Sequence, residues 1–325
     1  MQRTRVAVLR GGLGSEYELS LQTGEHVMRT IDTKCYEVLD VVITKAGEWL
    51  LRGKVRAPKE ILHQVELVFV ALHNMCGENG PIQRILDDCG VRYTGSQAFA
   101  HGVANHKAMA KNSLLSHGVR MPQHMIVARD VLPNISGAAA SVGMLFGPRY
   151  VIKAITGGSS VGTMYAEGTL MLEQALRTAL SVYPEVLVEE FIEGKEATCG
   201  VIEDFRDQKA YALPPVEVVH TAPIFNYSQK YHLELEHQCP SCFLREEKQE
   251  IERLAKLAHE VIGASHYSRS DFIVARDGIY FLEINTLPDL RETSLMAKAL
   301  AVVGSNYVEL IAHLLTLAAK NKRSV

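Results

Sequence analysis

The first third of the chain alternates between two hydrophobic periods. Val6–Arg10 is a short apolar run, the pattern of a buried strand, and Glu18–Ile31 spaces Leu19, Val27 and Ile31 as a helix does. Tyr36–Thr44 and Leu67–Leu72 read as two further strands. Asn79–Cys89 predicts a helix ended by Gly90, and Val91–Tyr93 a short strand. This strand–helix–strand rhythm predicts a parallel sheet with helices on both faces. Ligands bind such sheets beyond the carboxyl ends of the strands, and Gly11-Gly12 and His73–Gly80 both lie at such ends.

From about Ser96 the pattern changes. Ala98–His117 reads as one helix rich in small residues. Gln123–Val127, Tyr150–Ala154 and Val186–Phe191 read as hairpin-like strands of a small α+β unit. Strands Thr198–Ile202 and Ala212–Val219 follow, then the long polar stretch Thr221–Glu246. A helix over Glu247–Ile262 places Ile251, Leu254, Ala255 and Ala258 on one face, and Gly263 suits its C-terminal cap. Strands Asp271–Val274 and Ile279–Asn285 precede two closing helices. The expected fold class is α/β, passing to α+β in the C-terminal two thirds, with domain bounds near 1–96, 97–188 and 189–325. Thr221–Glu246 is long for a loop without strong periodicity and reads as a lid carrying Tyr227, Lys230, Tyr231 and His232.

Composition narrows the class. The 325 residues are 47% hydrophobic and 22% charged, an ordinary globular balance that argues against extended disorder. A net charge of −3, from 34 basic and 37 acidic residues, is too even for a general nucleic-acid binder, so no nucleic-acid partner is expected. No apolar run is long enough to span a membrane, and Val6–Leu9 is too short for a signal-peptide core. Six cysteines, with a lone Cys239-x-x-Cys242, read as reduced thiols of a cytoplasmic protein rather than a disulfide scaffold.

Four segments carry candidate chemistry. Lys153-Ala-Ile-Thr-Gly-Gly-Ser-Ser-Val-Gly162 can turn backbone N–H groups and hydroxyls onto an anion, with Lys153 as a nearby cation. No Gly-Lys-Ser/Thr closes it, so it is not a Walker A loop, and a plain glycine-rich turn is the alternative. Glu283 and Asn285 are two apart on a strand and share a face. A three-residue loop after Ala275 sets Asp271 opposite Glu283, whereas a two-residue Asp277-Gly278 loop sets it opposite Ile284. The first register builds an all-oxygen cluster suited to Mg²⁺, and acids on strands this apolar need a reason. Val188–Glu196 is a strand end rich in acids, fit either for ribose and adenine contacts or for a solvated charge run. Gly11–Ser20 sets Glu16 and Glu18 at a strand-to-helix junction, where they either pair with an amine or cap the helix.

Taken in order, these segments resemble the D-alanine–D-alanine ligase family of the ATP-grasp superfamily over nearly the whole chain. Gly11-Gly-x-Gly-Ser-Glu16-Tyr-Glu-Leu-Ser20 is similar to that family's opening motif, and Ala71-Leu-His73-Asn-Met-Cys-Gly77-Glu78-Asn-Gly80 to its second. Tyr93-Thr-Gly-Ser96 and Lys107 follow in the expected order, and Gly157–Gly162 resembles its phosphate loop. Lys230-Tyr231 falls in the long loop, where the family has a Lys-Tyr pair. Ser268-Arg269-Ser-Asp271-Phe and Glu283-Ile-Asn285-Thr-Leu-Pro288 resemble its closing motifs.

The resemblance implies an ATP-grasp fold. Residues 1–96 would form an N-terminal Rossmann-like substrate domain, and 97–188 a small central domain with the phosphate loop. Residues 189–325 would form a C-terminal domain with the lid and the Mg²⁺ site. It implies that the γ-phosphoryl of ATP passes to one D-alanine carboxylate and that a second D-alanine attacks the acyl phosphate. D-alanyl-D-alanine for peptidoglycan results, made in the cytoplasm by an enzyme that is commonly a homodimer. By resemblance, Lys107, Lys153, Gly158, Ser159, Ser160, Glu189, Glu196 and Lys230 would hold ATP, with Phe191 and Ile192 lining the adenine slot. Asp271, Glu283 and Asn285 would hold two Mg²⁺ ions, or Mn²⁺ in their place. Glu16 would bind the first ammonium with His73 nearby, and Glu16, Ser159 and Tyr231 would close the lid. Arg269 would stabilise the oxyanion, and Ser294 and Leu295 would receive the second carboxylate.

Some positions depart from the family pattern. Asp289-Leu290-Arg291 stands where Gly-Met-Thr is usual, Ala154 replaces a proline, Asn79 an aspartate and Arg10 an aromatic. A carboxylate at Asp289 would repel the second substrate's carboxylate unless Arg291 pairs with it. The alternatives are therefore a ligase with another acceptor and a nucleotide-binding relative without turnover.

Overall fold

The computed structural model describes residues 3–14, 16–73, 80–157, 162–219 and 236–320. Its first sheet holds β1 (Thr4–Gly11), β2 (Tyr36–Ile43), β3 (Trp49–Leu51), β4 (Lys54–Val55), β5 (Leu67–Val70) and β6 (Arg92–Tyr93), in the order β4-β3-β2-β1-β5-β6. β1 pairs in parallel with β2 and β5, and β5 with β6. Val6 to Leu9 are fully buried, as a central strand covered on both faces requires. The helices of this region are α1 (Tyr17–Thr30), α2 (Pro58–Leu62) and α3 (Pro81–Asp88). Between β1 and α1 the backbone turns at Gly11 with φ +90°, where an added Cβ would meet Ile43 O at 2.3 Å. Only glycine fits there, and the turn delivers Glu16 to the mouth of the sheet.

The expected helix over Ala98–His117 is two helices, α4 (Ala98–Asn105) and α5 (Lys107–Leu115). His106 between them is extended, bridges to Thr156, and caps α5 by accepting from Met109 N at 3.2 Å. The second sheet, β7 (His124–Ala128), β8 (Arg149–Ala154), β9 (Met164–Glu167) and β10 (Glu185–Glu190), has the order β7-β10-β8-β9. Its Ile152, Val186 and Val188 pack with α6 (Ile135–Phe146) and α7 (Gly168–Val182). The alternate residues Lys153, Leu187 and Glu189 therefore point to the opposite face. Neither helix was expected from the sequence. In α6, Gly137 and Gly143 weaken the helical signal.

The third sheet holds β11 (Lys195–Phe205), β12 (Gln208–Ala212), β13 (Val216–Val219), β14 (Glu236–Gln238), β15 (Tyr267–Ala275) and β16 (Gly278–Asn285). α8 (Arg245–Ile262) packs Ile251, Leu254, Ala255 and Ala258 against Phe272 and Phe281, with Val103 of α4 and Leu114 of α5 in the same cluster. The strand expected over Ala212–Val219 is split, ending β12 at Ala212 and resuming as β13 at Val216. The chain closes with α9 (Leu295–Val302) and α10 (Tyr307–Lys320), whose Leu300, Leu310, Ile311 and Leu314 join the core of the first sheet. The C-terminal helices thus fasten the third sheet to the first. No single helix among the described residues is long and apolar enough to cross a membrane; α9 and α10 pass that test only as a pair, bent by 104°.

Candidate active site

Register places the first acids. The loop between β15 and β16 has two residues, Arg276 and Asp277, because Ala275 pairs with Gly278. A ladder continued from there would set Asp271 opposite Leu282. A bulge between Asp271 and Phe272 admits one extra residue, so Asp271 pairs with Glu283 instead. The register expected from a three-residue loop is thus reached by a shorter loop and a bulge. Phe272 and Phe281 stay in the core, 5.9 Å apart edge to face, while Arg269, Asp271, Glu283 and Asn285 line a cavity on the other face.

That cavity, of about 400 Å³, lies where the three sheets meet. Asp271 Oδ1 accepts from Thr198 Oγ1 at 2.6 Å, and both carboxylate oxygens of Asp271 accept from Arg269 at 3.1 Å. Burial works against the Arg269 cation, but Asp271, and then Glu283 and Asp289, raise its pKa and keep it charged. Asn285 Oδ1 accepts from Leu287 N at 2.9 Å, which fixes the amide at the strand end.

Lysines approach from the facing side. Lys107, the first residue of α5, donates to Gly157 O and lies 3.6 Å from Glu283. Gly157 N in turn donates to Asn105 Oδ1 at 3.2 Å, tying the start of the glycine-rich segment to α4. Lys153 Nζ lies 2.6 Å from Glu189 Oε2. Burial alone would raise the Glu189 carboxyl, but the ammonium groups of Lys111 and Lys153 hold it down at about 2. Phe191 and Ile192 line the cavity beyond Glu189. The Phe191 ring sits under Arg149 at 5.0 Å and edge-on to Tyr165 at 5.5 Å. Glu196 lines the same wall.

The opposite end of the cavity is built by the first sheet and by α9. Glu16, 8% exposed, and His73 both line it. His73 shares a 2.8 Å hydrogen bond through Nε2 with Thr23 Oγ1, and its Nδ1 is 3.4 Å from Leu287 O. Ser294 caps α9, its Oγ accepting from Ala297 N at 3.2 Å, so the helix N-terminus and Leu295 face the cavity. Between them stand Asp289 and Arg291, joined at 2.8 Å. Burial would raise the Asp289 carboxyl, but Arg291 and His73 together hold it below the usual carboxylate range.

Of the expected site residues, Glu16, His73, Lys107, Lys153, Glu189, Phe191, Ile192, Glu196, Arg269, Asp271, Glu283, Asn285, Ser294 and Leu295 line this one cavity. Gly158, Ser159, Ser160, Lys230 and Tyr231 lie outside the described residues. The sequence reading missed Lys111, Thr198 and His101. The Lys107–Lys111 spacing, one turn apart on a helix, was the only signal for the first.

The C-terminal part of the chain, residues 115–316, matches the family model described as D-ala D-ala ligase C-terminus. A D-alanine--D-alanine ligase from Desulforudis audaxviator is 33% identical over 316 residues, covering 97% of this chain and 98% of that protein. This chain belongs to the D-alanine–D-alanine ligase family. It shares with that family the ATP-grasp fold and the class of ATP-dependent ligase. Among solved structures of the ligase family, the VanG D-Ala:D-Ser ligase from Enterococcus faecalis has TM-score 0.85 and 25% identity. It covers 98% of this chain and 100% of its own. The D-alanine--D-alanine ligase from Bacillus anthracis, solved complexed with ATP, has TM-score 0.77 at 22% identity, with 97% of both chains covered.

Proposed function

We propose that this chain joins two D-alanine molecules at the cost of ATP, through a D-alanyl phosphate. The observation that carries the reading is the convergence of three groups in one cavity. They are two lysines with the Glu189 wall, an acid–amide cluster with Arg269, and the buried carboxylate of Glu16 at the opposite end. Phosphoryl transfer needs chiefly positioning and charge stabilisation, and this cavity supplies cations on both sides of a shared space.

Their placement in one cavity supports the following residue roles. Glu189, Phe191, Ile192 and Glu196 hold the nucleoside, and Lys107 and Lys153 the phosphates. Glu16 faces the ammonium of the first D-alanine, so its carboxylate points toward Arg269. Arg269, held straight by Asp271, balances charge on the carbonyl oxygen when the second amine attacks. The N-terminus of α9 at Ser294 and Leu295 receives the second carboxylate. Gly158, Ser159, Ser160, Lys230 and Tyr231 keep their roles as phosphate loop and lid by resemblance; a lid protects an acyl phosphate from water.

Mg²⁺, or Mn²⁺ in its place, suits the oxygen set of Asp271, Glu283 and Asn285. No cluster of three or more His, Cys, Asp or Glu groups suited to a metal occurs among the described residues, so these two carboxylates need an amide and phosphate oxygens to complete a shell. A bound divalent ion would neutralise charge on the transferring phosphoryl group.

The three-part division at 1–96, 97–188 and 189–325, a cytoplasmic location and a homodimer complete the proposal. The five described cysteines are free thiols, in keeping with a reducing compartment. The direct test is ADP release by purified protein given MgATP and D-alanine, with the product identified by mass. Release that depends on D-alanine and yields the dipeptide supports the reading. ATP binding without release, whatever the amino acid, sinks it.

A further inference from the structure

Lys111 is fully buried, with 0% of its side chain exposed; burial pushes its ammonium pKa down, and the adjacent Glu189 carboxylate opposes that shift. It lies one turn after Lys107 on α5, so the two side chains leave the helix on the same face. Lys107 lines the nucleotide end of the cavity, whereas Lys111 stops behind it. Its Nζ is 2.8 Å from Glu189 Oε1, off the line of a good hydrogen bond, so the contact is ionic. Glu189 Oε2 is held from the cavity side by Lys153 at 2.6 Å. One carboxylate therefore stands between two ammonium groups, one sealed in the core and one at the cavity wall.

The charge count is what distinguishes this from a plain buried ion pair. The trio carries two positive charges and one negative, leaving one positive charge to face the cavity through Lys153. Without Lys111, Lys153 would be the only cation among the described residues paired with a carboxylate that is 1% exposed. Pulling Lys153 away would then leave a buried charge uncompensated, which is strongly unfavourable.

We propose that Lys111 is a positioning residue for nucleotide binding: it neutralises Glu189 from behind, so that Lys153 is released to the nucleotide phosphates. The inference rests on the nucleotide reading of this cavity. It adds a residue that touches neither substrate nor metal, and whose role another cation at the same place can fill.

The test compares wild type, Lys111→Met and Lys111→Arg. Net charge on the trio is positive, zero and positive again in that order. Glu189 stays unchanged in all three, so its own contact with the nucleoside is not disturbed. Calorimetric titration with MgADP reads binding without turnover, and steady-state kinetics give KM for MgATP and for D-alanine separately. In Lys111→Met the Kd for MgADP and the KM for MgATP should rise at least about tenfold, with KM for D-alanine unchanged. Lys111→Arg should stay within about fivefold of wild type in both.

A folded Lys111→Met that binds MgADP as wild type does overturns the inference. So does a Lys111→Arg that binds as weakly as Lys111→Met, because a cation behind Glu189 is then not what nucleotide binding requires. Should Lys111→Met not fold, Lys111→Gln removes the charge while keeping a polar end and carries the test alone. A Kd for MgADP raised at least about tenfold supports the inference, and an unchanged Kd overturns it. Wild-type protein that fails to bind MgADP at all would remove the nucleotide reading itself, a result distinct from these.

Discussion

Arg291 grips Asp289 through both carboxylate oxygens, with Nη2 2.8 Å from Oδ2 and Nε 3.2 Å from Oδ1, while the backbone N of Arg291 donates to Oδ1 at 2.9 Å. Its remaining Nη1 reaches Gln22 Oε1 of α1 at 3.3 Å. The carboxylate that departs from the family pattern is thus neutralised in place, beside the cavity end at Ser294 and Leu295. An acceptor bearing a carboxylate meets a paired Asp289, not a bare one.

The sign of two substitutions follows. Arg291→Ala leaves Asp289 facing the second carboxylate. KM for D-alanine as acceptor should rise roughly tenfold, the scale of about 1.4 kcal/mol, with KM for MgATP unchanged. Asp289→Gly removes the carboxylate and frees the guanidinium, and should lower that KM. Initial rates over a range of D-alanine concentration read both changes. A higher KM in Asp289→Gly would show that the acceptor end is built around the aspartate.

Glu283 sits at the centre of the acid cluster, 3.6 Å from Lys107 and opposite Asp271. Glu283→Ala should abolish turnover, while the melting temperature changes by only a few degrees, because its side chain lies on the cavity face rather than in the core. Retained turnover in that variant would remove the metal assignment.

Burial lowers the imidazoles of His101 and His266 to about 4; for His266 the nearby Glu203 opposes that shift without cancelling it. Both fold as neutral rings, whereas in the unfolded chain they take up a proton near 6.5. The unfolded state therefore binds more protons between about pH 6.5 and 4, and stability falls as pH drops through that window. The contribution is fully present above pH 6.5. Thermal melts at pH 7.5, 6 and 5 should show Tm falling below pH 6.5, and His101→Gln should flatten part of the fall. A Tm constant from pH 7.5 to 5 would contradict the neutral assignment.

Much of the site was legible because it is written locally. Glu283 and Asn285 share a strand face by alternation alone, and the apolar Phe272, Phe281 and Ile284 around them marked the acids as purposeful. Gly11-Gly12 marked the carboxyl end of the first strand, and the turn there is one that only glycine fits. The register of Asp271 against Glu283 was legible only as one of two choices, because a bulge leaves no mark in residue type. The Lys111–Glu189 contact was invisible, since it joins a helix to a strand far along the chain. The break at His106 was hidden as well. Small residues continue across it, and its cause is a tertiary bridge to Thr156. Internal glycines dilute the period of α6, whereas α7 spaces Leu172, Leu176, Ala179 and Leu180 as a helix does and was legible.

The fate of one oxygen atom tests phosphoryl transfer to D-alanine most directly. D-alanine labelled with ¹⁸O in its carboxylate is supplied with MgATP, and the released phosphate is weighed by mass spectrometry. If a carboxylate oxygen attacks the γ-phosphorus, and the amine of the second D-alanine then attacks the acyl carbon and expels phosphate, each phosphate formed with a dipeptide carries one ¹⁸O. Phosphate free of label, at a rate matching dipeptide formation, would contradict the acyl phosphate route.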